Sequence, residues 1–109
     1  MKVRIKQNAL RFRITEKEAE QLKKSKAVEV SCIIFHGVEL VFRIFPSKDQ
    51  LSEMIWNAPE VELHIPDFEM QAFLSSNKES WHKEFTIDGK LLLLSVEKDL
   101  AYFRNGFQA

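Results

Sequence analysis

The sequence predicts an α+β fold built from two ββαββ units. Short segments in which apolar and charged residues alternate occur in pairs joined by turns, a pattern typical of β-hairpins. The order hairpin, short helix, hairpin then occurs twice. We expect the two units, about residues 2–45 and 53–97, to pack about a pseudo-two-fold axis. The expected product is a mainly antiparallel eight-stranded sheet or barrel with two short helices.

The first unit is predicted from its periodicity and its turn residues. Charged and apolar residues alternate along its first two strands. Thr15 and Glu18 form the T-x-x-E capping-box pattern, so a short helix begins there and ends near Ser25. β-branched and aromatic residues on both sides of a turn at His36 and Gly37 predict a second, well-buried hairpin. The predicted strands are residues 2–6, 10–14, 28–35 and 38–45.

The second unit follows a polar connector at residues 47–51. Its first hairpin turns at residues 57–59, and Pro66 suits the first turn of the following helix because a missing amide costs nothing there. Asp88 and Gly89 form a strong two-residue hairpin turn before an apolar last strand. The predicted strands are residues 54–56, 61–65, 81–87 and 91–96.

The apolar registers of the two units agree. An offset of 51 residues pairs Leu10 with Val61, and an offset of 52 pairs the turn at 36–37 with that at 88–89. Few identities match, so two explanations stay open. Either the chain is duplicated, or any two ββαββ stretches align by periodicity.

Composition narrows the class of protein. The 109 residues suit one domain, residues 1–109, and 16 Lys+Arg balance 16 Asp+Glu, which disfavours a nucleic-acid partner. The single Cys32 cannot form an internal disulfide, and the N-terminus has no apolar signal core, so we expect a cytoplasmic protein. No apolar run approaches the length of a membrane span. No motif indicates a cofactor, a metal or a catalytic residue.

Charged residues near the two ends of the chain form a candidate ligand site. Cations on the first two strands could hold a phosphate or a carboxylate, and charged residues directly after the last strand could complete a site at the end of the sheet. The same residues could also be solvent-facing charges that pair with each other. If these residues form a ligand site, their side chains should point into a cavity. The candidates are Arg4, Arg11, Arg13, Glu97, Lys98 and Asp99, with Lys6 beside Arg4.

These ends of the chain resemble a family of small uncharacterised bacterial proteins classed as a domain of unknown function. The resemblance covers nearly the full length but is specific only at its two ends, and it implies no catalytic residue. The N-terminal pattern K-x-R-I-x-x-N-x-x-R-x-R-[LI]-T-x-x-E is matched by Lys2, Arg4, Ile5, Asn8, Arg11, Arg13, Ile14, Thr15 and Glu18. The E-K-D-[FL] motif is matched by Glu97, Lys98, Asp99 and Leu100, whereas Gln7 stands where the family usually has glycine.

We therefore expect a non-enzymatic binding or interaction module. The alternative is a binder or hydrolase of a small anionic ligand at the basic patch. Self-association is expected through an exposed sheet edge or through the aromatic residues Tyr102, Phe103 and Phe107, a composition common at interfaces.

Overall fold

The computed structural model describes residues 1–99. Within this range two helices and eight strands form an α+β fold. The strands are β1 (Lys2–Lys6), β2 (Ala9–Ile14), β3 (Val28–Phe35), β4 (Val38–Ser47), β5 (Glu53–Asn57), β6 (Glu60–Pro66), β7 (Ser80–Ile87) and β8 (Lys90–Lys98). The helices are α1 (Glu16–Lys23) and α2 (Asp67–Ser75), and neither is long and apolar enough to span a membrane.

The strands form two separate four-stranded sheets. Sheet A has the order β1-β2-β8-β7, and sheet B has the order β3-β4-β6-β5. Each sheet therefore joins one hairpin from the first half of the chain to one hairpin from the second half. The two hairpins of each sheet meet through a parallel pair, β2 with β8 and β4 with β6, so both sheets are mixed.

The prediction of one eight-stranded sheet or barrel is wrong. Pairing between the halves divides the strands of residues 1–99 into two sheets, which do not close into a barrel. The hairpins themselves are antiparallel as predicted, but the sequence analysis did not predict the parallel pair at the centre of each sheet. The central strands take part in both kinds of pairing, as is common in mixed sheets.

The core lies between the inner faces of the two sheets and includes the buried residues of both helices. Alternate residues of β2 and β8 point inward, as period two requires, and the same holds for β6. Gln71 of α2 donates its amide N–H groups to the carbonyl oxygens of Leu22 and Lys23 at the end of α1, at 3.1 and 3.2 Å, so the helices support each other. Core members include Leu10, Phe12, Ile14, Ile44, Leu63, Ile65, Met70, Leu94 and Val96.

The hairpin of β3 and β4 is not well buried along its whole length, contrary to prediction. Ile33, Ile34 and Phe35 are all exposed, and Cys32 is exposed as well. Register with β4 places Ile33 on the outer side of β3, opposite Glu39. An apolar groove of about 480 Å³ runs between β1 and this hairpin, and Cys32 lines it.

Candidate functional site

The cations of the N-terminal hairpin share the outer face of sheet A. Strand alternation places Lys2, Arg4 and Lys6 of β1 on the side away from the core, because Val3 between Lys2 and Arg4 packs against the core. Arg11 and Arg13 occupy the same side of β2, since Leu10, Phe12 and Ile14 are buried. We call these five residues the basic face.

Register places like charges directly opposite each other on this face. Lys2 is paired with Arg13, and Arg4 is paired with Arg11. Cross-strand neighbours of this kind have Cβ atoms about 4.5–5.5 Å apart, and like charges in such positions destabilise the pair of strands. The hairpin therefore carries an electrostatic cost in the isolated molecule.

Glu97 of β8 is the acidic partner of the two arginines. Arg11 donates from Nε and Nη2 to the two carboxylate oxygens at 3.1 and 3.0 Å, a bidentate arrangement. Arg13 lies opposite Glu97 in the parallel pairing, with its Nη2 at 3.8 Å from the carboxylate. Sequence reasoning placed both ends of the chain together, and the structure brings Arg11, Arg13 and Glu97 into contact.

A cleft of about 420 Å³ opens where β2 and β8 end. Its charged groups include the carboxylates of Glu79, Glu97 and Asp99 beside the guanidinium groups of Arg11 and Arg13. The cleft lies on the outer side of sheet A and not inside a barrel, so the arginines face solvent there. Arg4 lies in a smaller depression next to it, together with Lys2.

Lys98 lines the cleft, but its ammonium group points toward the core. Its Nζ donates to the carbonyl oxygen of Ser76 at 2.7 Å and lies 5.0 Å from the centre of the Phe73 ring. Burial, together with the charge of Lys23, lowers the pKa of Lys98 below its ordinary value. Because Ser76 follows directly after α2, the cation lies where a helix terminus favours positive charge.

The structure thus separates the six predicted site residues by role. Arg4, Arg11, Arg13 and Glu97 share the outer face, and Asp99 lies in the cleft, where its backbone N–H donates to the carbonyl oxygen of Ile14 at 2.9 Å. Lys98 supports α2 instead. Sequence reasoning missed Lys2, Glu79 and Ser80. Lys2 could have been found from its strand parity with Arg4 and Lys6, whereas Glu79 and Ser80 depend on the pairing of β7 with β8.

The outer face of sheet B has the opposite charge. Strand parity places five carboxylates there, and Arg43 of β4 lies among three of them. Arg43 lies 2.6 Å from Glu62, 3.3 Å from Glu60 and 3.6 Å from Glu29. We call this surface the acidic face. Its carboxylates belong to Glu29, Glu39, Glu53, Glu60 and Glu62.

The fold and the outer faces define a small α+β protein of two mixed sheets with oppositely charged surfaces. The chain belongs to a family of unknown function, DUF7009, whose sequence model matches residues 1–106. The resemblance to a domain of unknown function is thereby confirmed. No curated protein and no solved structure matches the chain significantly.

Proposed function

We propose that this protein is a non-enzymatic interaction module whose basic face binds an acidic protein surface. The observation that carries the proposal is the opposition of like charges in the N-terminal hairpin, Lys2 with Arg13 and Arg4 with Arg11. Such pairs weaken the hairpin, and a partner that supplies carboxylates would offset their repulsion.

The charge balance of the face supports this function. Strand parity adds Glu84 of β7 to Glu97 on this side of sheet A, so among the strand residues within 1–99 five cations stand against two carboxylates, with Glu79 and Asp99 in the cleft at its end. Within residues 1–99, Lys2, Arg4 and Lys6 take part in no ion pair. Their exposed side chains are available to a partner's carboxylates, and a field of one sign steers such a partner during encounter.

The alternative of a small anionic ligand in the cleft has weaker support. Glu97 already accepts the hydrogen bonds of Arg11, which an incoming phosphate would have to replace. Glu79 and Asp99 add negative charge to the same cleft, and the ammonium group of Lys98 is bonded to Ser76. The exposed cations of β1 suit the carboxylates of a protein better than this cleft suits a phosphate.

The proposal is tested by fluorescence anisotropy with labelled poly-L-glutamate as the acidic polypeptide. The double variant Lys2→Glu/Arg4→Glu reverses two cations of the basic face. The control Lys17→Glu/Lys26→Glu makes the same change in net charge at exposed positions of α1 and the following loop. We expect the first variant to bind at least about tenfold more weakly, a loss of about 1.4 kcal/mol, and the control to bind nearly as the natural chain does.

Two further measurements sharpen this test. Arg4→Glu places a carboxylate opposite Arg11, so the variant should unfold at a higher temperature even though it binds less well. Equal losses in both double variants would reduce the effect to net charge and overturn the proposal. Tighter binding to duplex DNA than to poly-L-glutamate would also overturn it, in favour of a nucleic-acid partner.

We also propose that the chain is an internal repeat, with units at about residues 2–45 and 53–97 related by a pseudo-two-fold axis. The registers support this. Adding 51 to Ala9 gives Glu60, and subtracting 52 from Leu93 gives Val41. The pair Ala9 with Leu93 joins sheet A, and the pair Glu60 with Val41 joins sheet B.

Cellular location and assembly are proposals as well. The bacterial, cytoplasmic origin expected from the sequence stays a prediction, and a single cysteine is in keeping with a reducing compartment. Self-association through a sheet edge or through Tyr102, Phe103 and Phe107 stays a prediction, and these three aromatic residues lie outside the described residues. The cations on the edge strand β1 oppose edge-to-edge pairing there.

A further inference from the structure

We propose that the acidic surface bound by the basic face is the acidic face of a second copy, so that the protein associates head to tail. This inference rests on the proposed function, because it names the partner of the same face. It arises from the opposite charges of the two sheets and not from any single ion pair.

The acidic face has the charge that the basic face requires. Among the strand residues within 1–99, its five carboxylates stand against one guanidinium, that of Arg43, whereas the basic face has five cations against the two carboxylates of Glu84 and Glu97, with Glu79 and Asp99 in the cleft at its end. Glu39 and Glu53 are exposed and take part in no ion pair within residues 1–99. They are free to meet cations of another molecule.

The two faces also agree in their layout. Both sheets have the same arrangement of hairpins about a parallel central pair, so their outer faces have similar widths. At equivalent positions Lys2 corresponds to Glu53 and Arg11 to Glu62. The zero net charge of the chain at pH 7 means that no overall repulsion opposes the approach of two copies.

Exposed apolar side chains stand beside the charges on each face. Leu91 and Leu93 are exposed on the outer side of β8, and Ile33 and Phe45 are exposed on the outer sides of β3 and β4. Specific interfaces combine an apolar centre with a charged rim, and both faces supply the two components. Burial of these side chains would add to the electrostatic attraction.

The geometry makes the contact heterologous. The two faces point away from the shared core, so a contact between one basic and one acidic face leaves the other two faces free. Such contacts build open chains unless their rotation closes a ring. Assembly should therefore continue beyond a dimer and should weaken with salt.

Sedimentation velocity on the full chain tests the inference. At about 10 mM salt the Debye length is about 30 Å, and we expect a concentration-dependent series of species; at about 1 M salt it is about 3 Å, and we expect a monomer. Lys2→Glu/Arg4→Glu removes the attraction of the basic face, and Glu39→Lys/Glu53→Lys removes that of the acidic face while keeping the contacts of Arg43. Each variant alone should stay monomeric at low salt.

The decisive sample is an equal mixture of the two variants. One variant retains the acidic face and the other retains the basic face, so the mixture should form a 1:1 dimer and nothing larger. Assembly of either variant alone, or a monomeric mixture, would overturn the inference. If the natural chain is monomeric at low salt but binds poly-L-glutamate, the second-copy partner is wrong and the proposed function stands. If it neither assembles nor binds this polymer, both proposals fail.

Discussion

Arg43 and Glu62 form the shortest ion pair within residues 1–99 on the acidic face of sheet B. The guanidinium Nη1 lies 2.6 Å from the Glu62 carboxylate, and Nε2 of His64 donates to the other oxygen at 3.0 Å. The hydrogen bond from His64, together with that from Arg43, lowers the pKa of Glu62 below its ordinary value, although desolvation opposes this shift. The His64 ring also stacks on Phe45 at 5.1 Å, which fixes its position.

This pair predicts a pH dependence of stability. A carboxylate whose pKa is lowered by folding stabilises the protein above its unfolded pKa, and that stability is lost as the pH falls through the folded pKa. Glu62→Gln should therefore lower the free energy of unfolding by about 1 kcal/mol at neutral pH and reduce its decline in acid. Urea unfolding at a series of pH values from neutral to acidic measures both effects.

Glu84→Gln is the matched control, since Glu84 is an exposed carboxylate without an ion pair in residues 1–99. Its acid decline should follow that of the natural chain. An unchanged decline in Glu62→Gln would contradict the role assigned to the pair.

The candidate site was partly predictable at the level of single residues. Alternation was enough to place Arg11 and Arg13 on one side of a strand. The same parity assigns Lys98 to the side of Leu94 and Val96, so its inward direction was available from the sequence. The cluster of carboxylates around Arg43 could not be predicted from the sequence, because these carboxylates reach the arginine only through the pairing of β4 with β6 and β3.

Helix α1 shows how local sequence determines an element. The Glu18 backbone N–H donates to Thr15 Oγ1 at 3.2 Å, and the Thr15 backbone N–H donates to Glu18 Oε1 at 2.9 Å, which completes the predicted capping box. The N-terminal ammonium group of Met1 also donates to Glu18 at 2.7 Å and joins β1 to the helix. Each of these bonds satisfies a donor at the start of the helix or of the chain.

Loss of this cap should destabilise the protein measurably. Thr15→Ala removes the side-chain acceptor and should lower the free energy of unfolding by about 1 kcal/mol. Thr15→Ser keeps a hydroxyl at the same position and should retain most of the stability. Chemical denaturation of the three proteins measures the differences. If the alanine and serine variants were equally unstable, the loss would come from the methyl group and not from the cap.

Burial of the second hairpin was less predictable than its strands. The β-branched and aromatic residues of β3 and β4 were enough to predict the hairpin and its turn at His36 and Gly37. They were not enough to predict that Cys32 is exposed although it lies on the inner side of β3, because exposure depends on what the opposite sheet covers. Local patterns therefore determine where a strand lies along the chain but not how much of it is buried.

Which hairpins pair with each other is determined by the whole molecule and not by local sequence. β2 pairs with β8 although most of the chain separates them. The sequence of neither strand indicates which strand it pairs with. Sequence analysis for this reason predicted the eight strands and two helices but joined the strands into one sheet. The pairing across the halves is what brings the arginines of β2 to Glu97 of β8.

The exchange of hairpins predicts that neither half of the chain folds without the other. Each sheet loses two of its four strands when the halves are separated. The core residues of each fragment therefore lose the packing that the missing half of each sheet provides. A cut in the polar connector gives residues 1–48 and 49–109. Each fragment alone should show no cooperative thermal transition, because two unpaired hairpins with one helix cannot bury their apolar faces. An equal mixture should regain the far-ultraviolet circular dichroism and the cooperative transition of the intact chain.

Leu94→Asp in the second fragment provides the control for this experiment. Leu94 is buried and lies opposite Leu10 in the parallel pair, so a charge there should prevent reconstitution even though both fragments are present. A monomeric 1–48 fragment that unfolds cooperatively would show that the first half closes its own core, and pairing across the halves would then not be required for folding. Reconstitution by the natural pair but not by the variant would instead show that the fragments join through the buried side of β8.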